Sequence, residues 1–137
     1  LNSSYFGNLG FAYPVALGAK VARPDAAVVA VSGDGGFLFN SQELATAVQY
    51  GINVVLVVFN DSAFGNVMRD QKTRYGDDRV VGSELHNPDF VKLAEAYGAR
   101  GVRAETPAAL EQAIREAIGV DAPTLIEVPV GPMPSPF

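Results

Sequence analysis

Two apolar, β-branched runs, at residues 27–32 and 54–59, constrain this chain more than any other feature. Each is strand-length and continuous rather than alternating, the pattern of a strand covered on both faces of its sheet. The first run breaks at Gly33-Asp34-Gly35-Gly36, a glycine-rich turn, and the second at Asn60-Asp61. Between them, Asn40 and Glu43 stand at capping-box spacing. Leu44, Ala47 and Val48 then recur at helical intervals, and Gly51 is placed to end the helix. Parallel strands joined by a right-handed helical crossover have their carboxyl ends on one edge of the sheet. Asp34 and Asp61 are therefore expected on the same rim.

Two carboxylates on one rim suit a bound diphosphate bridged by a divalent cation. A hard cation such as Mg²⁺ takes oxygen ligands, commonly one or two carboxylates with phosphate oxygens and water. Glycines allow the backbone to approach the phosphate, and N–H groups opening the next helix favour an anion. Either motif alone is also ordinary turn composition. Their joint occurrence at the ends of adjacent buried strands is what favours a site.

Gly33-Asp34-Gly35, followed by Asn60-Asp61, resembles the thiamine diphosphate motif of Gly-Asp-Gly and a later Asn-Asn. The likeness extends upstream to Gly7-Asn8-Leu9-Gly10-Phe11 and downstream to Ser62-Ala63-Phe64-Gly65-Asn66-Val67. The group it resembles includes acetolactate synthase, benzoylformate decarboxylase and pyruvate oxidase, in their diphosphate-binding domain. By that resemblance Asp34, Asp61 and the Ala63 carbonyl are the Mg²⁺ ligands. Gly33, Gly35 and Gly36 lie along the diphosphate, with Gly36 in place of the usual serine. Phe64, Gly65 and Asn66 continue the cofactor loop, and Asn8 is a further cofactor residue. The Gly7 carbonyl accepts a hydrogen bond from the aminopyrimidine, and Leu9 wedges between the cofactor rings. Val67 aligns with an apolar substrate position. The implied reaction is decarboxylation of a 2-oxo acid, the product being protonated or passed to an acceptor.

Two departures from the pattern matter. Asp61 stands where the family has asparagine, which keeps an oxygen ligand and adds a negative charge. Arg69-Asp70, with Gln71 retained, replaces the Gln-Trp of acetolactate synthases, whose tryptophan covers the acceptor substrate; strict acetolactate synthase activity is not implied. The stretch at residues 69–79 mixes both charge signs and reads as a solvated helix and loop. Arg69 and Lys72 are secondary candidates for a substrate carboxylate. His86, the single histidine, reads as exposed.

The remainder alternates in the same way. A helix is expected over residues 10–21, with Pro14 in its first turn. Asn87-Pro88-Asp89 is expected to start a helix with a cap and then a proline, and Gly98 to stop it. A strand at residues 100–103, a helix capped by Thr106-Pro107 and closed by Gly119, and a strand at residues 123–130 complete the set. The implied fold is α/β, a doubly wound parallel sheet with helices on both faces.

The 137 residues make one domain, 48% apolar and 18% charged, which excludes a disordered chain. A net charge of −5 argues against nucleic acid or an anionic membrane. Without cysteine there is no disulfide framework and no thiol chemistry. A cytoplasmic location is expected. Starting at Leu1 and running straight into a motif, the chain reads as a piece of a longer multidomain polypeptide. No glutamate here matches the one by which the family activates the aminopyrimidine. A pyrimidine-binding domain, from the same or a partner subunit of a homodimer or homotetramer, is expected to bring it. An NAD-binding dinucleotide unit is the rival, weakened by Leu38 at its third small position and by a carboxylate inside the phosphate turn. A non-catalytic regulatory or assembly subunit is the other alternative.

Overall fold

The computed structural model describes residues 1, 2 and 6–131. Expectations that fall on residues 3–5 and on the proline-rich tail after Gly131 lie outside them. Four parallel strands form one sheet: β1 (Val29–Gly33), β2 (Val55–Asn60), β3 (Arg100–Arg103) and β4 (Thr124–Pro129), in the order β1-β2-β4-β3. The helices are α1 (Ala12–Ala22), α2 (Asp34–Leu38), α3 (Glu43–Tyr50), α4 (Gly65–Tyr75), α5 (Phe90–Ala96) and α6 (Pro107–Ile118), with a 3₁₀ turn at Asp77–Arg79.

The helices divide between the faces according to the direction in which the chain moves across the sheet. From β1 to β2 and on to β3 the chain advances, and α2, α3 and α5 pack on one face together with α1. Tyr13, Leu17, Phe37, Leu44 and Phe90 meet Ala30, Leu56, Val58 and Leu125 there. From β3 it steps back to β4, and α6 lies on the opposite face, where Ala113 and Ala117 cover Val55, Val57, Ile126 and Val128. Reversing direction while changing face is what right-handed crossovers require. The doubly wound α/β expectation is met, with unequal cover. In β1, Val29 and Val31 share the face of Val55 and Val57 but are 42% and 59% exposed. Helix α6 reaches over β2 and β4 and leaves the β1 edge open.

Three local expectations give way. Gly33-Asp34-Gly35-Gly36 is not a free turn: Gly33 caps α2, and Asp34 is its first residue. The Asn40–Glu43 capping box does not form. Asn40 instead donates its side-chain amide to the Gly10 carbonyl at 2.8 Å, and Glu43 accepts from the Thr46 hydroxyl. At α5 the cap is Asp89, whose carboxylate accepts from the Val91 and Lys92 N–H groups. Pro88 therefore precedes the helix, and the Asn87 side chain is released for other use. The cap of α6 is Thr106, with Pro107 in the first turn, as expected. Replacing Thr106 with alanine should cost about 1 kcal/mol in denaturant unfolding.

Candidate functional site

Register pairs Gly33 with Phe59, so Asp34 and Asp61 follow the carboxyl ends of adjacent strands on one edge. Asp34 is 1% exposed. One of its carboxylate oxygens accepts from the Gly35 N–H at 2.8 Å and the other from the Asn87 side-chain amide at 2.6 Å. Asp61 is half-buried on the loop leaving β2, and its carboxylate accepts from the Ala63 N–H. That loop bends through Ser62, the one described residue other than glycine with positive φ, at 56°. A second segment holds the bend in place: the Phe64 N–H donates to the Ser83 carbonyl, and the Leu85 N–H to the Ser62 carbonyl. Ser83 is fully buried and donates its hydroxyl to Gln71 of α4 at 2.7 Å, tying this segment down. The Asp61 carboxylate would stand 2.8 Å from a Cβ on Gly65, so a larger residue at the start of α4 would push the carboxylate aside.

These residues line a groove of about 1090 Å³. Asn8 and Leu9 form one wall, Gly33, Asp34, Gly35 and Gly36 the floor, and Asp61 with Ala63, Phe64, Gly65 and Asn66 the other wall. Val67 and Arg69 extend that wall along α4. Gly7, exposed with φ +60°, lies on the same loop as Leu9 without lining the groove. Leu9 is half-exposed, and its side chain comes within 3.8 Å of where a Gly36 Cβ would sit. Nothing lies within 4 Å of a Cβ position at Gly33, which is open to the groove. Gly35 differs: the Phe64 ring packs within 2.5 Å of its Cβ position, so a larger residue there would have to displace the ring. Lys72 and His86 are exposed and lie outside the groove, whereas Arg69, bonded to the Asn66 side chain, is its one cationic side chain among the described residues.

Gly10 sets the position of the Leu9 wall. Its φ is +84°, and a Cβ would collide with the Asn40 amide that holds its carbonyl. Gly10→Ala should therefore lower stability by at least about 1–2 kcal/mol, the left-handed cost for an L-residue. Urea unfolding checks this.

The donor set fits a hard cation. Two carboxylates face each other, and no described ion pair gives either one a cationic partner. No third acidic, histidine or cysteine side chain joins them among the described residues, so carbonyl and phosphate oxygens would complete the shell. Burial, and then the charge of Asp34, push the Asp61 carboxyl above its ordinary value. A raised carboxyl contributes stability below its unfolded-state pKa and loses that contribution as pH rises through the folded one. Without divalent cations, the melting temperature of wild type relative to Asp61→Asn should thus fall as pH rises from about 4 to 6. Added Mg²⁺ should close the gap from the wild-type side.

Sequence reasoning missed the polar chain behind Asp34. Asn87 donates to the Asn60 side-chain oxygen as well, at 2.9 Å. Asn60 donates to Glu127 at 2.8 Å, and Glu127, 4% exposed on β4, accepts from Arg103 at 2.9 Å. The Glu127 hydrogen bond and charge raise the Arg103 pKa further. The only available signal was a glutamate inside the apolar run of β4.

Residues 1–128 match the family described as thiamine pyrophosphate enzyme, C-terminal TPP binding domain. The probable acetolactate synthase large subunit of Methanococcus aeolicus is 42% identical over 132 residues, covering 96% of this chain and 22% of that protein. The acetolactate synthase of Bacillus subtilis is 43% identical over 122 residues, covering 89% and 21%. Among solved structures, the Rhodococcus jostii RHA1 thiamine diphosphate-dependent 4-hydroxybenzoylformate decarboxylase superposes with a TM-score of 0.84 at 37% identity, over 94% of this chain and 24% of that one. The chain belongs to the thiamine diphosphate enzyme family, as its C-terminal cofactor-binding domain. It spans about a fifth of the length of the relatives it matches. The dinucleotide-binding alternative gives way to this assignment.

Proposed function

We propose that this domain holds the diphosphate of thiamine diphosphate through Mg²⁺, in an enzyme that decarboxylates or carboligates 2-oxo acids. The observation that carries the reading is the pair Asp34 and Asp61, facing each other on one sheet edge with no cationic side chain paired to either among the described residues. These two carboxylates and the Ala63 carbonyl hold the metal, and the open Gly33 backbone lies along the diphosphate. Leu9 projects from the far wall towards Gly36, where it supports the cofactor rings. Bound thiamine diphosphate supplies the nucleophilic carbon and the electron sink; the chain supplies position and charge. Arg69 offers the groove a positive charge for a 2-oxo acid carboxylate, and Val67 an apolar contact beside it.

No glutamate lines the groove among the described residues. The proton-handling group is supplied by a pyrimidine-binding domain of the same or a partner subunit, in a homodimeric or homotetrameric cytoplasmic enzyme. The isolated 137-residue chain is accordingly expected not to turn over pyruvate. Calorimetric titration of the assembled protein with thiamine diphosphate, with Mg²⁺ and then with a chelator, tests the reading. Binding only with the metal is expected; equal affinity in both conditions would remove the basis for the metal site. Binding in neither would favour the regulatory or assembly role.

A further inference from the structure

We infer that Asn87 is a positioning residue for the metal site, fixing the Asp34 carboxylate through a hydrogen-bond chain that runs across the sheet edge to Arg103. The inference rests on the reading of Asp34 as a metal ligand. It begins from a residue that the local sequence explains in another way: Asn87-Pro88-Asp89 has the composition of a helix start, yet Asp89 alone caps α5.

The direction of every amide in the chain is settled from its ends. Arg103 can only donate, so Glu127 accepts from it at 2.9 Å. The other Glu127 oxygen, 2.8 Å from Asn60, then requires the NH₂ end of that amide. The opposite end of Asn60 is its oxygen, which the Ser62 N–H confirms by donating to it at 3.2 Å. Facing that oxygen and the Asp34 carboxylate, Asn87 must also present its NH₂ group, and it donates to both, at 2.9 and 2.6 Å. A flipped Asn87 would set its oxygen against two acceptors. The cost of the chosen orientation is visible, because the Asn87 oxygen is buried without a partner among the described residues. A buried polar atom left unsatisfied is rare in a folded chain. It persists here because the same amide must serve two acceptors on its other end.

The consequence for Asp34 is geometric. The Gly35 N–H holds one oxygen and Asn87 the other, so the carboxylate plane is fixed and the remaining lone pairs are left for a cation. Groups that orient a ligand in this way typically alter metal affinity by about 10–100-fold when removed. Asn60 ties the same chain to the loop carrying Asp61, since it accepts from the Ser62 N–H. One amide therefore sets the orientation of one carboxylate and braces the loop that carries the other.

The test uses the assembled protein and two variants of different character, with cofactor binding read by calorimetry across a Mg²⁺ series. Asn87→Leu keeps the side-chain shape and removes the donor, whereas Asn87→Ser keeps a donor on a shorter arm. Thr106→Ala is the control; it removes the cap of α6, on the other face of the sheet, and touches neither Asp34 nor the Asp61 loop. The Mg²⁺ concentration for half-maximal binding should rise about 10–100-fold in Asn87→Leu and by less in Asn87→Ser. Thr106→Ala should lower the melting temperature and leave the Mg²⁺ requirement as in wild type. If Asn87→Leu does not fold, Asn87→Ser against Thr106→Ala decides by the same criterion. An unchanged Mg²⁺ requirement in the Asn87 variants, or an equal rise in Thr106→Ala, overturns the positioning role while leaving the metal site intact. Metal-independent binding by wild type overturns both.

Discussion

Replacing Asp34 with asparagine should abolish the Mg²⁺-dependent binding of thiamine diphosphate, with affinity falling by more than about 100-fold, beyond the range seen for groups that only orient a ligand. The substitution looks conservative and is not. Both carboxylate oxygens accept hydrogen bonds, one from the Gly35 N–H and one from Asn87. An amide in either orientation sets its own NH₂ group against one of these donors, at a cost of about 1–3 kcal/mol for the bond left unmade. Loss of repulsion towards Asp61 offsets part of this, so the protein should fold. The readout is the rise in melting temperature on adding Mg²⁺ with cofactor, which should vanish in Asp34→Asn. A rise equal to that of wild type would show that Asp34 does not hold the metal.

Gly101→Ala should destabilise the domain by about 2–3 kcal/mol, the upper part of the range for overpacking. A Cβ at Gly101 would stand 2.6 Å from the Val91 carbonyl oxygen and 2.9 Å from its Cα. Those are backbone atoms of α5, so no rotamer change relieves the collision and the helix must lift from β3. Because α5 starts just after Asn87 and Asp89, the displacement should also reach Asp34. Guanidinium unfolding measures the first effect, and the Mg²⁺ requirement for cofactor binding the second. A wild-type midpoint would mean that β3 and α5 separate more easily than their contact distances indicate.

The strands and most helices were legible because their signals are local. Continuous apolar runs identify β1, β2 and β4, and the Thr106-Pro107 and Gly51 boundaries fall where caps and stops belong. The reading failed where a side chain chose a distant partner over a near one. Asn40 left its capping position to hold Gly10, thirty residues earlier, and Asn87 left the α5 start to reach Asp34. In both cases Asn is equally suited to a local cap and to a remote carbonyl or carboxylate. Gly35 carries a second demand of the same remote kind: beside its place in the groove lining, its Cβ position is filled by the Phe64 ring. The open β1 face was hidden for a related reason: a continuous apolar run specifies burial without specifying what covers it.

The sequence by itself determined the parallel α/β order and the rim on which both acidic residues stand. Strand periodicity and the handedness of crossovers depend only on neighbours along the chain. The tertiary structure alone decided which donors reach the carboxylates, because those contacts join segments whose separation in sequence carries no periodic signal. Arg103, Glu127, Asn60, Asn87 and Asp34 come from five separate stretches, and only the packing of β3, β4, β2, the α5 approach and the start of α2 sets them in one line.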